Sequence, residues 1–347
     1  MEENKQHKRR VRYSGTHPKH YSEKYKEHSP EKYADTVERV IQKGNTPAGM
    51  HISIMVKEIL EILDIKQGEI GLDATLGYGG HTKAMLEKLN GKGHIYALDI
   101  DPIESEKTRE RLEKQGYTQE ILTIRNINFK NVDEIIAESG KFDFILADLG
   151  VSSMQIDNPN RGFSFKVDGE LDLRLNPSIG VSAADRINSI NREELEAMLV
   201  ENADEVYAQE IAEAIINYRK KYGRIDTTTK LRKIIEEALV FIPQKDAKEQ
   251  LHKACQRTFQ AIRIDVNNEF EVLYEFLEKL PEILAPNGRA VILTFHSGED
   301  RLVKKSFKKF KQSGMYSEIA SDVIRPSGEE CYRNPRAKST KLRWVIR

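Results

Sequence analysis

Apolar positions in the first half of this chain recur in two alternating rhythms. Ile52, Met55, Val56, Ile59, Leu60 and Leu63 share one face at helical spacing, which predicts an amphipathic helix over 52–63. Short apolar runs follow at 70–75, 94–100, 121–126 and 142–148, and again at 290–295. Continuous runs of that length suit strands covered on both faces, as in a parallel sheet. Helical segments fit between them at 80–90, 102–115 and 131–139. Strand–helix alternation of this kind predicts a doubly wound, parallel α/β sheet. The last run, 341–347, is expected to pair antiparallel with 316–324 at one sheet edge.

The alternation stops between residues 156 and 255. Helical periodicity dominates there, around 192–201, 204–221 and 227–240, and the sheet pattern returns only at 290. An all-helical insertion (156–255) carried over the crevice of a sheet domain (46–155 and 256–347) is the expected organisation. Residues 1–45 have few aliphatic side chains, a basic run Lys8-Arg-Arg-Val-Arg12 and the histidines His7, His17, His20 and His28. Such a segment buries too little apolar surface to offset its ordering entropy, so a basic disordered tail is expected. Its mixed lysine, arginine and tyrosine would allow RNA contact by phosphate pairing and stacking, or simply keep the chain soluble.

Composition narrows the function classes. The 347 residues carry 55 basic and 55 acidic side chains, but the balance is local: basic residues outnumber acidic ones roughly threefold from Arg301 to Arg347, and Asn191 to Glu213 is acidic. That asymmetry fits a protein meeting a polyanion on one face. Two distant cysteines, Cys255 and Cys331, argue against a disulfide framework or a zinc site. No apolar stretch reaches membrane-span length and Met1-Glu-Glu is no signal sequence, so a cytoplasmic protein with no membrane partner is expected.

The chemistry concentrates at strand ends. Asp73-Ala-Thr-Leu-Gly77-Tyr-Gly79-Gly80-His81 leaves the first strand and opens a helix, where glycines let backbone amides approach a ligand. Strand two ends in Asp99-Ile-Asp101-Pro102, and a carboxylate there suits ribose hydroxyls. A dinucleotide site wants G-x-G-x-x-G for a pyrophosphate. The G-x-G-G spacing behind an acidic strand end instead suits the cationic groups of S-adenosyl-L-methionine, favouring a methyltransferase over a dehydrogenase. His81 and Phe129 are candidate cofactor contacts. Strand four runs into Asp148-Leu-Gly-Val-Ser-Ser153, then Gln155 and Arg161-Gly-Phe-Ser-Phe165, placing a carboxylate and hydroxyls at the crevice.

These segments, with His51, Arg257-Thr-Phe-Gln-Ala-Ile-Arg263, Phe295-His-Ser-Gly-Glu-Asp-Arg301 and Asn334-Pro-Arg336 in the same order, resemble the ribosomal RNA small subunit methyltransferase H family, also called MraW. The resemblance runs from about residue 50 to the C-terminus. It implies a class I methyltransferase sheet with an inserted helical domain, S-adenosyl-L-methionine as cofactor, and methylation of N4 of a cytidine in the decoding centre of 16S rRNA, within the small ribosomal subunit. It implies cofactor contacts at Gly79, Gly80, His81, Asp99, Phe129, Asp148 and Gln155. Met154, Gly298 and the run His252-Lys-Ala-Cys-Gln256 depart from the family pattern, and the tail before 45 is extra to it.

For transfer to an exocyclic amine, Asp148 is the candidate nearest the reacting nitrogen, with the cofactor's amino group as its other partner. Ser152 and His296 join it as catalytic candidates, Ser152 being equally suited to cap a turn. Glu299 and Asp300 should face the same crevice. Arg161, Arg257, Arg263 and Arg301 suit phosphate contacts or salt bridges, and Phe163 or Phe165 suits stacking on an unstacked base, or core packing. Competing readings are a methyltransferase for other RNA, DNA, protein or a small molecule, and a non-catalytic RNA-binding factor. A homodimer stays open.

Overall fold

The structure, a computed structural model, describes residues 53–347. The tail 1–45, with the RNA-contact expectation placed on it, and His51 lie outside the described residues. Helix α1 (Val56–Leu63) buries Ile59 and Leu63 on its predicted face, with Met55 just before it. Strand β1 (Ile70–Asp73), α2 (Gly80–Leu89), β2 (His94–Leu98), α3 (Pro102–Lys114), β3 (Leu122–Arg125), α4 (Asp133–Ser139) and β4 (Phe142–Asp148) then alternate as expected. Seven helices follow: α5 (Ser153–Asp157), α6 (Ala183–Ser189), α7 (Arg192–Ala203), α8 (Ala208–Tyr222), α9 (Thr228–Ala238), α10 (Gln244–Asn267) and α11 (Glu269–Ile283). Strand β5 (Leu284–Thr294), α12 (Ser297–Gln312), β6 (Glu318–Ile319), α13 (Gly328–Arg333) and β7 (Lys341–Ile346) complete the chain.

The strands form one sheet in the order β3-β2-β1-β4-β5-β7-β6. The first five are parallel, and β7 runs antiparallel to both β5 and β6. The predicted edge pairing is present, with Glu318 opposite Ile346 and a further bridge between Ile324 and Leu342. Chain order reverses between β1 and β4, and in such sheets the ligand crevice lies off the strand ends at that point.

Alternate residues of β4 serve opposite cores. Ile145 and Ala147 pack with Phe276, Leu280 and Phe307, whereas Phe144 and Leu146 pack with Met55, Ile59 and Met85. The inserted helices bury a separate core that includes Leu195, Ile211, Ile215, Leu231, Ile235, Phe259 and Ile262. No individual helix was expected over 244–283 and the helical insertion was expected to end at 255, yet α10 and α11 carry helix on to Ile283. The first turns of α10 are mostly polar, and its buried positions begin only at Ala254. Asn268, in the left-handed region at φ 49°, ends α10 and starts α11. Helix α10 therefore passes unbroken through residue 255, the expected end of the insertion.

Candidate active site

Asp73 ends β1 fully buried. Its Oδ2 accepts from Thr82 Oγ1 (2.6 Å) and its Oδ1 from the Thr75 amide (3.1 Å). Burial pushes this carboxyl above the usual range. Both oxygens thus clamp the glycine turn onto α2. Gly79, at φ 80°, caps α2 without any side-chain acceptor. The first amides of an α-helix have no intrahelical partner, so those of Gly80, His81 and Thr82 suit a ligand carboxylate. A Cβ on Gly80 would lie 2.0 Å from Ser53 Oγ and 3.3 Å from Ser53 Cβ, so a larger residue would force the Ser53 side chain to shift.

Asp99, just beyond β2, accepts from the Gly77 amide at Oδ2 (2.7 Å) and the Asp101 amide at Oδ1 (2.8 Å). Each carboxylate oxygen has a second acceptor site left over for a ribose hydroxyl. Burial, with smaller contributions from the charges of Asp101 and Asp73, raises this carboxyl to about 7. An ionised acceptor binds hydroxyl donors more strongly than a protonated one. Cofactor affinity is therefore expected to be flat above pH 7 and to fall by up to about tenfold per pH unit below it, because binding must then expel a proton. Calorimetric titration with S-adenosylmethionine from acid to mildly alkaline pH checks this, and Asp99→Asn should flatten the profile.

Asp101 is the residue that the sequence left without a role. Its Oδ1 caps α3 by accepting from the Ile103 and Glu104 amides. Its Oδ2 accepts from Gln155 Nε2 (2.8 Å) and Arg161 Nη1 (2.7 Å). Arg161 Nη2 donates onward to the carbonyls of Arg174 (3.1 Å) and Leu175 (2.8 Å). Arg161 is buried, so of its two expected roles, phosphate contact or salt bridge, it fills the second: this guanidinium ties the loop after β4 to the end of β2. The Asp-Pro dipeptide at 101–102 was a legible N-cap signal, but its arginine partner lies sixty residues on. Gln155, a candidate cofactor contact, has its carboxamide engaged at both ends, since Oε1 accepts from the Ser152 amide at 2.8 Å. Ser152 in turn caps α5, its hydroxyl accepting from the Gln155 amide at 3.1 Å.

At the tip of β4, the Asp148 amide donates to Thr75 Oγ1 (2.7 Å), locking it to the strand beside it. Asp148 Oδ2 lies 3.4 Å from His81 Nδ1, while Oδ1 is buried with no hydrogen-bond partner among the described residues. His81 is itself buried, and its Nε2 lies 2.9 Å from the Ile54 carbonyl. Burial lowers the imidazole pKa, but the hydrogen bond and charge of Asp148 outweigh it and hold His81 above its ordinary value. An acceptor thus lies at each ring nitrogen, and one carboxylate oxygen of Asp148 is left over.

The remaining candidates divide. Phe129, after β3, packs edge-on against Phe276 with centroids 5.2 Å apart and stays half-buried. His296 precedes α12, its Nε2 3.1 Å from Glu299 Oε1. Glu299 is buried and accepts from the Phe295 amide at 2.8 Å. Burial would raise this carboxyl, but His296 outweighs it and holds it below the usual range. Glu269, His296 and Glu299 place ligand-type atoms within 4.8 Å of one another, but Arg263 already donates to both Glu269 oxygens (2.8 and 2.9 Å). Arg263 too therefore fills the salt-bridge role of its two expected ones, and the cluster carries its own cation. Asp300 pairs with Lys341 (3.0 Å) and Arg343 (2.7 Å), fixing α12 to β7. Arg301 lies 3.8 Å from Asp204 on the exposed surface, and half-buried Arg257 faces the charge of Glu205. Phe163 belongs to the insertion core, and Phe165 packs tilted against Phe259 (centroids 5.5 Å apart) and edge-on against His252 (5.3 Å).

A seven-stranded sheet of this order, with an uncapped glycine turn after β1 and carboxylates beyond β2 and at the tip of β4, defines the class: Rossmann-like, S-adenosylmethionine-dependent methyltransferases. Residues 48–347 match the MraW methylase family, and the chain belongs to it. It is 67% identical over 341 residues to the ribosomal RNA small subunit methyltransferase H 1 of Lachnoclostridium phytofermentans, covering 98% of this chain and 93% of that one. Its identity to the enzyme of that name from Agathobacter rectalis is 67% over 347 residues, 100% of this chain and 99% of the relative. The ribosomal RNA small subunit methyltransferase H of Koribacter versatilis is 38% identical over 303 residues, 86% of this chain and 94% of the relative. Among the described residues, no helix is long and apolar enough to cross a membrane.

Proposed function

We propose that this chain transfers a methyl group from S-adenosyl-L-methionine to N4 of a cytidine in the decoding centre of 16S rRNA, on the small ribosomal subunit in the cytoplasm. The observation that carries the reading is the buried, unpartnered Oδ1 of Asp148, beside the glycine turn at the sheet's switch point. The small-subunit RNA substrate named for the relatives supports it, with identity extending over nearly their whole length.

In this reading the turn at Gly79 opens onto the free amides of Gly80, His81 and Thr82, which receive the cofactor's carboxylate, while Asp99 receives its ribose hydroxyls and Phe129 packs on its adenine. Gln155 serves the cofactor side by fixing Asp101. When bound, the cofactor supplies an activated methyl group. Cytosine N4 is a poor nucleophile because its lone pair is delocalised into the ring. Asp148 Oδ1 accepts one amino hydrogen and draws the nitrogen towards tetrahedral geometry, while His81 holds the other oxygen so that the carboxylate stays aimed. A strong base is not required, because the proton leaves after the methyl arrives. The hydroxyl hydrogen of Ser152, whose oxygen is the α5 cap, remains free to donate to the base, and His296 lines the same crevice from the tip of β5. The helical insertion, 156–255 with its α10 running on to Asn267, serves RNA recognition, with Arg257 a remaining phosphate contact.

The test uses labelled S-adenosylmethionine and small subunits from a strain lacking the enzyme, with the modified nucleotide mapped by mass spectrometry. Label on cytidine N4 is the expected result. Label on ring carbon, ribose or protein would sink the reading.

A further inference from the structure

Helix α12 leaves the tip of β5 at the crevice and carries an unusual outer face. Its buried side is Glu299, Val303, Ser306, Phe307 and Phe310. Arg301, Lys304, Lys305 and Lys308 are exposed on the opposite side, at the i, i+3, i+4, i+7 spacing of a single stripe. From Arg301 to Gln312 the helix holds six basic residues and no acidic one. Solvated helix faces commonly alternate sign, because like charges three and four residues apart destabilise the helix. Lys309 is neutralised by Glu278 on α11 (2.6 Å), but Lys304, Lys305 and Lys308 form no ion pair among the described residues. The stripe spans about 10 Å along the helix axis. At its crevice end, Ser297 and Arg301 lie 3.4 and 3.8 Å from Asp204, at the end of α7 in the insertion.

We infer that this stripe is a track for the phosphate backbone of the RNA substrate, leading away from the catalytic crevice along α12. The inference rests on the ribosomal RNA reading and adds to it a location and a direction. A charge-only track positions the RNA without reading its sequence, so it acts on binding and leaves the chemical step alone.

The experiment measures binding of the full-length protein to small subunits across a salt series, with methyl-transfer kinetics alongside. Each phosphate contact contributes about 0.7–0.9 to the slope of log affinity against log salt. The Lys304→Gln/Lys305→Gln/Lys308→Gln variant should therefore lower that slope by about 2. It should raise KM for the subunit and leave kcat and cofactor affinity unchanged. The corresponding triple arginine variant should keep the wild-type slope. An unchanged slope in the glutamine variant, a fall in kcat at constant KM, or failure of the arginine variant to retain binding overturns the track. So does loss of binding to phosphatidylserine vesicles in place of loss of subunit binding. If the wild-type protein itself does not methylate the subunit, the ribosomal RNA reading fails and the track with it. Wild-type turnover with an unaltered variant slope removes the track alone.

Discussion

Asp148→Asn is expected to slow methyl transfer about 10²–10³-fold, the usual loss when a preorganised group facing the reacting atoms is removed. Asparagine keeps the shape and can still accept one hydrogen bond. It loses the charge that offsets His81, and its amide must now present a donor to one of two places where an acceptor is needed. If its oxygen stays with His81 Nδ1, its nitrogen faces the target amine, donor against donor. If it flips, His81 faces a donor instead. A second change follows from the same geometry. Asp148 is the largest of the influences that raise the imidazole against burial. In the variant that support is weakened, and His81 should titrate lower than in the wild type. Single-turnover kinetics on small subunits, cofactor calorimetry and a histidine NMR titration read the three effects. Turnover within a few-fold of wild type would remove Asp148 from the reaction. Lost cofactor affinity with normal turnover at saturating cofactor would move its free oxygen to the cofactor's amino group.

Strand tips were legible because two kinds of signal coincide there: an apolar run ends and a carboxylate or glycine begins. Asp73, Asp99 and Asp148 all announce themselves in this way. Their partners do not. His81 reads as a first-turn helix residue, and nothing local shows that its ring bridges the Asp148 carboxylate and the Ile54 carbonyl across the β1–β4 switch point. The arginines illustrate the same limit. Arg161 and Arg263 sit in motifs and carry the charge that RNA contacts need, but each is buried against a carboxylate that the fold supplies. Charge in a sequence does not distinguish a phosphate contact from an internal ion pair, because burial makes that distinction. Helix α10 was only partly legible because its first turns bury nothing, whereas α11 carries Val272, Leu273, Phe276, Leu277 and Leu280 at helical spacing, a signal the sequence did offer.

Arg161→Met is expected to be the most destabilising single change near the site. It removes one partner from a buried pair, leaving the Asp101 carboxylate, wholly inaccessible, with only Gln155 and two helix amides. Breaking such a pair costs about 3–5 kcal/mol, because the remaining charge stays buried and uncompensated. For a chain of this size that corresponds to a fall in Tm of about 5–8 °C. The loss also frees the carbonyls of Arg174 and Leu175, so the loop between α5 and α6 loses its anchor on α3. Adding Asp101→Asn should recover part of the loss, since asparagine still caps α3 and no charge is then stranded. Thermal unfolding of the two single variants and the double variant gives the coupling directly. A wild-type melting temperature for Arg161→Met, or a double variant less stable than the sum of the singles, would show that the pair is not what holds this loop. Positive coupling together with weakened cofactor binding would instead make Asp101 the joint through which the insertion is tied to the cofactor turn. The stability of the helical insertion and the occupancy of the cofactor site would then depend on one buried carboxylate.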